Sequence, residues 1–371
     1  MLKLSNQESS SVINQLTLEN FRNHSKFDLN SIDSSVLIYG ANGTGKTSIL
    51  ESISLFSNSK GMRNATFLEM LKKNEKSFSI NLHLQMNSFV NTSLTCNYNE
   101  VQNKKQFALN GKEVKSISRI KMLIPMLCIA PYTEKIFIGP SSLRRLFVDN
   151  LVCNFDLTHA KRINEYEKIL RERSKLLKEG NNDNEWLNSL EDTLSKLSVA
   201  ICSMRLDFIL RINRLLKKSL GNFPKVKILA ENSLENHLTT KAAIDLEEEL
   251  KIKFRISRKI DAILGGSREG CLRSDINILN LDKSMKARMC SSGEQKSLLI
   301  SIVIACSRAI KESFSTSPVI LLDEIFTHLD HKRKNDLLIE LTSLGSQVWI
   351  TTTEKERFLQ KDYNFCYYQL K

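Results

Sequence analysis

The stretch that decides the fold is VLIYGANGTGKTSIL, residues 36–50. Its apolar start, Val36 to Tyr39, is typical of a short buried strand. Helix-forming residues end the stretch, so the segment between them joins a strand to a helix. That segment matches the pattern G-x-x-x-x-G-K-[S/T], in the order Gly40, Ala41, Asn42, Gly43, Thr44, Gly45, Lys46 and Thr47. The pattern predicts an α/β fold that binds a nucleotide.

Each residue type in this loop has a chemical reason. The glycines let the backbone wrap closely around phosphate, and successive N–H groups form a nest for an anion. Lys46 would reach the β- and γ-phosphates, and the Thr47 hydroxyl would ligate Mg²⁺. The loop therefore predicts ATP and Mg²⁺ as cofactors.

A second strand ends in two acids. Residues 317–341 read SPVILLDEIFTHLDHKRKNDLLIEL, in which an apolar run at 319–322 leads into Asp323 and Glu324. Asp323 could hold Mg²⁺ through water, and Glu324 could orient or deprotonate an attacking water. Such a pair can also cap the next helix, but the phosphate-binding loop in the same chain favours catalysis. A third strand, SQVWITTTE at 346–354, completes a βαβ pattern typical of a parallel sheet.

A second candidate anion site lies at SSGEQKSLLISIVIACSRAI, residues 291–310. Ser292 and Gly293 open an apolar helix, whose first turn offers free N–H groups and a partial positive charge. Simple N-capping by Ser291 or Ser292 explains the same residues. Local chemistry leaves both readings open.

The composition indicates a polyanionic partner. The 371 residues include 54 Lys and Arg against 41 Asp and Glu. The resulting net charge of +13 favours binding to a phosphate backbone. A generally basic proteome is the alternative. The eight cysteines form no Cys-x-x-Cys pair, so neither a zinc ribbon nor a thioredoxin-like site is indicated. The start is not a signal peptide and the longest apolar run, 298–306, is too short to span a bilayer. We expect a soluble, cytoplasmic protein without membrane contact.

The middle of the chain predicts a helical arm. Glycine and proline nearly vanish over 141–220, and the linker at 180–185, GNNDNE, suits a tight reversal. The apolar seam of the second helix repeats at spacings of three and four: Leu187, Leu190, Leu194, Leu197, Ile201, Met204 and Phe208. We expect a short antiparallel coiled coil in which each helix is the other's core, and a further helix over 237–264. The predicted domains are a head at 1–140, the arm at 141–270 and the rest of the head at 271–371.

Several cations are candidates for DNA binding, although any one charge run is more often a solvated face. No aromatic platform for stacked bases is visible, so contact with a duplex backbone is favoured over single-strand capture. The candidates are Arg63, Lys104, Lys105, Arg144, Arg145, Lys251, Lys253, Arg255, Arg258 and Lys259.

The order of the motifs resembles the ABC-type ATPases, and in particular their SMC-like branch. Within that branch the chain is most similar to the RecF family of bacterial recombination mediators. The segments that support this resemblance are LTLENFRNHSKF (16–27), NGKEVKSISRI (110–120), GPSSLRRLFVDNLV (139–152), SSGEQKSLLIS (291–301) and VILLDEIFTHLD (319–330). The fold class is therefore expected to be a P-loop ABC-type ATPase head with an inserted helical arm domain.

The resemblance implies how the two anion sites work. In this superfamily two heads pair head to tail, and the signature helix of one head caps the γ-phosphate held by the other. Ser292 and Gly293 would be that signature, and Thr353 would sense the γ-phosphate. The implied protein is a weak, DNA-dependent ATPase of recombinational repair that forms an ATP-dependent homodimer on duplex DNA at single-strand gap junctions. RecR and RecO are its implied partners.

Two departures and two alternatives remain. A ten-residue polar extension precedes the first strand, and APYTEKIFIG at 130–139 replaces the family's Pro-Glu-Asp-Leu run, so no nucleotide sensor is assigned there. The chain could instead be the ATPase subunit of an ABC transporter, which should have a His after the last strand and no heptad hairpin. It could also be a DNA scaffold that binds ATP without hydrolysing it, against which Asp323 and Glu324 argue.

Overall fold

The structure is a computed structural model that describes residues 9–57, 60–86, 90–180, 183–218, 221–231, 234–327, 329–353 and 364–371. Its strands are β1 (Ser9–Phe21), β2 (His24–Leu29), β3 (Ser35–Tyr39), β4 (Ser77–Met86), β5 (Val90–Asn99), β6 (Lys104–Leu109), β7 (Lys112–Glu113), β8 (Met126–Ile129), β9 (Val226–Glu231), β10 (Asp275–Asn280), β11 (Met285–Lys286), β12 (Thr316–Ser317), β13 (Val319–Asp323), β14 (Val348–Thr352) and β15 (Phe365–Gln369). Its helices are α1 (Lys46–Ser54), α2 (Phe67–Met70), α3 (Ser118–Leu123), α4 (Lys135–Ile138), α5 (Ser141–Val152), α6 (His159–Lys178), α7 (Asn184–Leu216), α8 (Leu234–His237), α9 (Ala243–Leu264), α10 (Ser292–Phe314) and α11 (His331–Ser343).

The chain divides into two compact units. Unit 1 contains residues 1–134, 219–223 and 292–371, and unit 2 contains 135–218 and 224–291. The second border differs by some twenty residues from the one expected at 270. Residues 271–291 belong to unit 2 because β10 and β11 pair with each other and β10 pairs with β9. The first eight residues of the predicted N-terminal extension lie outside the described residues, and β1 already begins at Ser9.

A parallel sheet at the centre of unit 1 positions the loop and the acids. Its described strands lie in the order β15-β3-β14-β13-β8, and every neighbouring pair is parallel. The three strands expected from the sequence, β3, β13 and β14, are thus confirmed. Because parallel strands bring their carboxyl ends to one edge, Tyr39, Asp323 and Thr352 end on the same side, where α/β proteins bind ligands.

The second sheet of unit 1 is mainly antiparallel. Its order is β12-β1-β4-β5-β6-β7, and β2 also pairs with β1. Alternate residues of β1, such as Leu16 and Leu18, are fully buried, as expected for a strand with one face toward a core. That core is shared with Val36 and Ile38 of β3 and with Trp349 of β14.

Unit 2 contains the predicted helical hairpin. Arg173 of α6 bonds to Glu191 of α7, while Tyr166 and Ser198, from the same two helices, both lie against Gly270. Ascending numbers on α6 meet descending numbers on α7, so the two helices are antiparallel. Gly270 has a φ of 97°, and a Cβ there would lie 2.3 Å from the Tyr166 hydroxyl, which explains the glycine.

The hairpin has a third helix that changes its core. The expectation that α6 and α7 are each other's core is corrected by α9, which contributes Leu246, Leu250 and Phe254 to the same cluster as Leu194 and Ile201. The α7 seam is buried at most positions, as predicted, but it faces two helices. The further helix expected over 237–264 is confirmed as α9, beginning at Ala243.

Unit 2 also buries two ionic networks. The Arg173 guanidinium, fully buried, donates to Glu191 and Asp261 at 2.9 and 2.8 Å. The second network is centred on Arg205, which donates to Asp149 at 2.7 and 2.8 Å and bridges to Glu235 at 3.3 Å. Buried charges of this kind are stable only when paired and fully hydrogen-bonded. Each arginine here therefore connects elements that are distant in the sequence.

Two smaller sequence expectations can also be compared with the structure. The eight cysteines are all free thiols, six of them buried, and burial raises the pKa of Cys128 and of Cys271 to about 12. Over the described part of the chain, no helix combines the length and the apolar character that a bilayer crossing requires.

Candidate functional site

The phosphate-binding loop is shaped by two glycines with positive φ. Gly43 has a φ of 84°, and Gly45 has a φ of 101° and caps α1. A Cβ on Gly45 would lie 2.5 Å from side-chain nitrogens of Asn23 and His24, so no other residue fits there. The backbone is therefore free to approach an anion at the start of α1, as the sequence predicts.

Lys46 is held inside this loop. Its Nζ donates to the carbonyl oxygens of Gly40 and Ala41, both at 2.8 Å, and its side chain is nearly inaccessible. Thr44 closes the loop by donating to the Ala41 carbonyl at 3.0 Å. The positive charge thus lies within the loop itself, where a phosphate would sit.

Thr47 and Asp323 meet although 276 residues separate them. The Thr47 hydroxyl donates to Asp323 Oδ1 at 2.9 Å. The same carboxylate oxygen accepts from the Thr351 hydroxyl at 2.6 Å, and Thr351 Oγ1 in turn accepts from the Glu324 N–H at 3.0 Å. Asp323 is buried at the end of β13. The loop and the acidic strand end, assigned to one site from the sequence, therefore form one cluster.

Thr351 was not singled out by the sequence. It lies in the run Thr351-Thr352-Thr353, from which the sequence argument selected Thr353 by resemblance. The register of β13 against β14 pairs Asp323 with Thr351, and this register becomes visible only in the folded sheet. The run of hydroxyls at a strand end was the one available signal.

Glu324 adopts an uncommon backbone conformation with a φ of 49°. Its carbonyl oxygen accepts from Lys296 Nζ at 3.3 Å, and the same ammonium donates to the Thr327 carbonyl at 2.9 Å and pairs with Glu134 at 3.4 Å. Lys296 belongs to the SSGEQK segment. The start of α10 is thereby bonded to the backbone that carries Glu324.

A cavity of about 640 Å³ opens over the loop. The loop and Glu324 form part of its lining, and half of the remaining wall residues are cationic. The wall residues include Arg22, Asn23, Arg63, Glu69, Lys72 and Lys73. Arg22 binds the fully buried Glu51 through two bonds of 2.9 and 2.7 Å, and Arg63 lies 3.5 Å from the same carboxylate. A concave wall with this excess of positive charge suits a triphosphate.

His24 closes the back of the loop. Its Nε2–H donates to the Gly45 carbonyl at 3.1 Å. Burial lowers the pKa of this imidazole below its ordinary 6.5 and the nearby Lys72 lowers it further, although the bond to Gly45 acts in the opposite direction. The imidazole is therefore neutral at physiological pH.

The donors present fit Mg²⁺ bound together with phosphate. Among the described residues, no group of three or more His, Cys, Asp or Glu side chains could hold a metal on its own. Thr47 and Asp323 instead offer one hydroxyl and one carboxylate, both hard oxygen donors, beside an anion-binding loop. Mg²⁺ is commonly held in this way, with phosphate oxygens and water completing its shell.

The structure does not bring the signature or Thr353 into this cavity. Ser292 starts α10 and is exposed, and Gly293 is half-buried. Thr353 follows β14 and is exposed. None of the three is among the described residues that line the cavity.

The DNA-binding candidates fall into three groups. Arg63 lines the cavity. Four others bond to partners within unit 2. Arg144 bonds to Asp275 and to the Ile136 and Gly139 carbonyls, and Arg145 bonds to Ser141 and the Ser274 carbonyl. Arg258 bonds to Glu191, Asn184 and Asn188, and Lys251 pairs with Asp192 and Glu248. The exposed remainder comprises Lys104 and Lys105 on β6 and Lys253, Arg255 and Lys259 on α9.

Comparison with known proteins extends these findings. The family model described as the RecF/RecN/SMC N terminal domain matches residues 12–370. The DNA replication and repair protein RecF of Brucella suis biovar 1 (strain 1330) is 33% identical over 350 residues, which cover 93% of this chain and 91% of that protein. The protein of the same name from Rickettsia prowazekii (strain Madrid E) is 31% identical over 342 residues, 92% of this chain and 94% of that one.

A solved structure agrees with these relatives. The structure titled as the recombination mediator protein RecF-ATP in the RecFOR pathway superimposes with a TM-score of 0.84 at 25% identity. The superposition covers 94% of this chain and 93% of that one. The fold is therefore that of a P-loop ABC-type ATPase head with an inserted helical domain.

Proposed function

Since the chain belongs to the RecF family of the RecF/RecN/SMC group, we propose that it is an ATP-dependent DNA-binding protein of recombinational repair and replication-gap processing. The observation that supports this most is the cluster of Thr47, Asp323 and Thr351 beside the phosphate-binding loop. Together with the loop, this cluster offers donors that suit a nucleoside triphosphate and a metal ion. The named relatives are DNA replication and repair proteins, and one solved relative is titled with ATP.

The loop residues bind and orient the nucleotide in this proposal. The N–H groups of Gly43 to Thr47 would hold the phosphates, and Lys46 would bind phosphate oxygens. Thr47 and Asp323 would hold Mg²⁺, which would neutralise charge on the phosphates. Arg22 and Arg63 add positive charge to the wall of the cavity.

Glu324 is the proposed catalytic carboxylate. It lines the cavity, and its backbone is fixed by Thr351 on one side and Lys296 on the other. From this position it would orient the attacking water and accept its proton. We propose slow, DNA-dependent hydrolysis that releases a bound state.

Ser292 and Gly293 are proposed to act on a second copy of the chain. Their absence from the described lining of the cavity supports a role in trans, where the N-terminus of α10 would cap a γ-phosphate held by the partner. Thr353 would sense the γ-phosphate from the end of β14. ATP would thus join two heads and hydrolysis would separate them.

DNA contact is proposed for exposed cations on unit 1. The net charge of +13 supports phosphate contacts without base readout, and Lys104 and Lys105 of β6 are exposed. The exposed cations of α9 lie among isoleucines, whose apolar side chains would gain nothing from contact with a phosphate backbone. We propose duplex DNA beside single-strand gaps as the ligand, RecR and RecO as partners, and the cytoplasm as the location.

The alternatives are less well supported. A transporter subunit is disfavoured because the named relatives are DNA replication and repair proteins that match over nine-tenths of their length. The position of Glu324 in the cavity argues against a scaffold that does not hydrolyse ATP, because such a protein needs no catalytic carboxylate. Glu324→Gln tests this directly: we expect it to accumulate as an ATP-bound dimer on DNA, and unchanged turnover in a monomer would contradict the catalytic assignment.

The test of the whole proposal is mass by light scattering with and without ATP and Mg²⁺. We expect ATP to double the mass of the wild type and of the control Ser343→Arg, an exposed serine on α11. Ser292→Arg should stay monomeric while still binding a fluorescent ATP analogue. If the wild type remains monomeric, or if Ser292→Arg still doubles its mass with ATP, the Ser-Ser-Gly start is only a helix cap.

A further inference from the structure

Helix α9 presents two apolar faces, and one of them is covered. Leu246, Leu250 and Phe254 are buried and pack in the core shared with α6 and α7. Asp261 continues the same face and is held by Arg173. These contacts explain the apolar residues on one side of α9, but they do not explain apolar residues on the other side.

The other face contains four isoleucines at helical spacing. Ile252, Ile256, Ile260 and Ile263 are exposed to 54%, 76%, 43% and 81% of their surfaces. At 3.6 residues per turn they fall within an arc of about 80°, centred roughly 120° from the buried face. We call this surface the isoleucine stripe. A helix that is apolar on two sides is typical of one that is covered on both.

Cations border the isoleucine stripe on both sides. Lys253 lies beside one edge, and Arg255 and Lys259 lie beside the other. All three are exposed, and within the described residues no carboxylate lies at ion-pair distance from them. The stripe and its borders therefore combine apolar surface with unneutralised positive charge.

Two of the acids near the start of α9 are paired within the chain. Glu249 pairs with Lys241, and Glu248 lies 3.4 Å from Lys251. A second copy of α9, lying antiparallel with its stripe on this one, would set residues 262, 260 and 256 opposite Lys253, Arg255 and Lys259. The acids of that copy, at 245–249, would lie beyond the end of the facing helix, so the complementary acids must come from a different molecule.

We propose that the isoleucine stripe docks an amphipathic helix of a partner protein, with apolar residues along its centre and Asp or Glu along both borders. Apolar residues at the centre of an interface and charges at its rim are the usual arrangement for helix recognition. The charges select the partner and its orientation, and the isoleucines contribute the affinity. Duplex DNA would use the cations and leave the isoleucines against a polar backbone.

A synthetic peptide tests the proposal on the full chain. The probe is a fluorescein-labelled, helix-forming peptide with leucines along one face and glutamates on both sides of it, and the matched probe has lysines in place of the glutamates. We expect saturable binding of the glutamate peptide only, measured by fluorescence anisotropy. The double variant Ile256→Ser, Ile260→Ser should weaken it by about tenfold or more, as loss of central apolar anchors does. The control Leu210→Ser, a half-exposed leucine of α7, should bind as the wild type does.

Charge reversal supplies a positive readout that misfolding cannot imitate. The triple variant Lys253→Glu, Arg255→Glu, Lys259→Glu should lose the glutamate peptide and gain the lysine peptide. Equal binding of both peptides by the wild type, or binding of neither, would overturn the proposal.

Other occupants give distinct results. A lower mass of the isoleucine variant without nucleotide would indicate a second copy, loss of affinity for a duplex oligonucleotide would indicate DNA, and loss of binding to phosphatidylglycerol vesicles would indicate a lipid surface. Each of these outcomes would replace the proposed partner. We expect the isoleucine variant to keep ATP turnover and ATP-dependent mass doubling, which separates a failure here from a failure of the proposed function.

Discussion

Thr351 connects the two groups on which the proposed chemistry depends. Its hydroxyl donates to Asp323 at 2.6 Å and accepts from the Glu324 N–H at 3.0 Å, so one oxygen orients the proposed metal-binding carboxylate and fixes the backbone of the proposed catalytic residue. Glu324 has a φ of 49°, a conformation that surrounding bonds must maintain. Thr351 supplies one of those bonds.

We expect Thr351→Val to lower ATP turnover by about tenfold or more, since a hydrogen bond to a charged group contributes about 1.5–3 kcal/mol. The valine keeps the shape of the side chain and removes only the hydroxyl. The matched control is Thr352→Val, the next residue of β14, which faces the opposite side of the sheet. Steady-state turnover and ATP affinity should be measured together. Equal losses in both variants would show a general effect on β14 rather than a role for Thr351.

His24 predicts a pH dependence. Its folded pKa lies below 6.5, the ordinary value expected in the unfolded chain, so the unfolded state binds protons more readily as the pH falls. Stability is therefore fully present above pH 6.5 and declines as the pH drops from there through the folded pKa. Between about pH 7.5 and 5.5 we expect the melting temperature of the wild type to fall further than that of His24→Gln, whose amide can still donate to Gly45. Parallel curves for the two proteins would rule out His24 as the titrating group.

At this scale the sequence predicted the residues whose chemistry is local. The loop from Gly40 to Thr47 is contiguous, so its spacing alone indicates its shape. Arg22, Lys72 and Thr351 reach the site from other strands and loops, and only sheet register and chain crossing place them there. Asp323 was predicted because the loop in the same chain made a catalytic reading of its strand end more probable than a helix cap.

Among the elements, α10 has an unusual connection. Its buried Lys296 donates to the carbonyls of Glu324 and Thr327, so the helix that begins with Ser292 is bonded to the segment that carries the proposed catalytic carboxylate. A displacement of the start of α10 would be transmitted to Glu324 through this ammonium. If Ser292 and Gly293 act as proposed, their engagement would be linked to the position of Glu324 within one head.

We expect Lys296→Met to bind ATP with near wild-type affinity but to lose most of its turnover. Lys296 donates to the backbone of Glu324, whereas among the described residues it forms no hydrogen bond to the proposed phosphate loop. Lys296→Arg, which keeps the charge and can donate to both carbonyls, should recover part of the turnover. A loss of ATP affinity equal to the loss of turnover would indicate a folding defect instead.

The helices of unit 2 should depend strongly on their buried arginines. Bonds from Arg205 and His159 hold the pKa of Asp149 below its ordinary value even though burial alone would raise it. Arg205→Met removes the cation that pairs with Asp149 and Glu235 and leaves them the bonds from His159 and Ser274, and breaking a buried pair typically costs about 3–5 kcal/mol. Urea unfolding followed by circular dichroism measures this cost. Lys175→Ala, which breaks the exposed pair with Glu179, should cost less than about 1 kcal/mol; similar costs in both variants would contradict the network's importance.

The heptad spacing predicted α7 well because it records one face of that helix, and the linker at 180–185 predicted its antiparallel partner α6. It could not predict that α9 joins them, since the apolar residues of α9 serve two faces at once and give no single clean period. It also could not predict the ionic networks. Arg173 and Asp261 are far apart in sequence, and a charged residue within a helix ordinarily indicates an exposed side.

For the whole molecule, the discontinuous division into units explains why the border at 291 differs from the one expected at 270. The glycine-rich run GGSREG at 265–270 follows the end of α9, but the pairing of β9 with β10 assigns the next residues to unit 2 as well. Strand pairing between segments that are far apart in the sequence cannot be predicted from any short stretch of residues. The phosphate loop and the acidic strand end were recognisable in spite of this because each is a local pattern.

The basic charge of the molecule predicts a steep salt dependence of DNA binding. If Lys104 and Lys105 each contact one phosphate, Lys104→Ala with Lys105→Ala should reduce the slope of log affinity against log salt by about 2. Fluorescence anisotropy of a labelled duplex over a range of KCl concentrations measures the slope. The Ile256→Ser, Ile260→Ser variant is the control and should keep the wild-type slope. An unchanged slope in the lysine variant would place the phosphate contacts elsewhere.

The strand order of the parallel sheet has a consequence for synthesis on the ribosome. Strand β3 is entirely apolar at Val36, Leu37 and Ile38, and both of its neighbours, β14 and β15, come from the far end of the chain. At typical translation rates the nascent β3 waits roughly 15 to 60 s for a strand that is made about 310 residues later. Residues 135–291, almost all of them in unit 2, leave the ribosome during that interval and can fold first. A ribosome that stalls before β14 therefore releases a folded arm joined to an unpaired, aggregation-prone edge, and chaperones that bind extended apolar segments should act on this nascent chain until its last strands emerge.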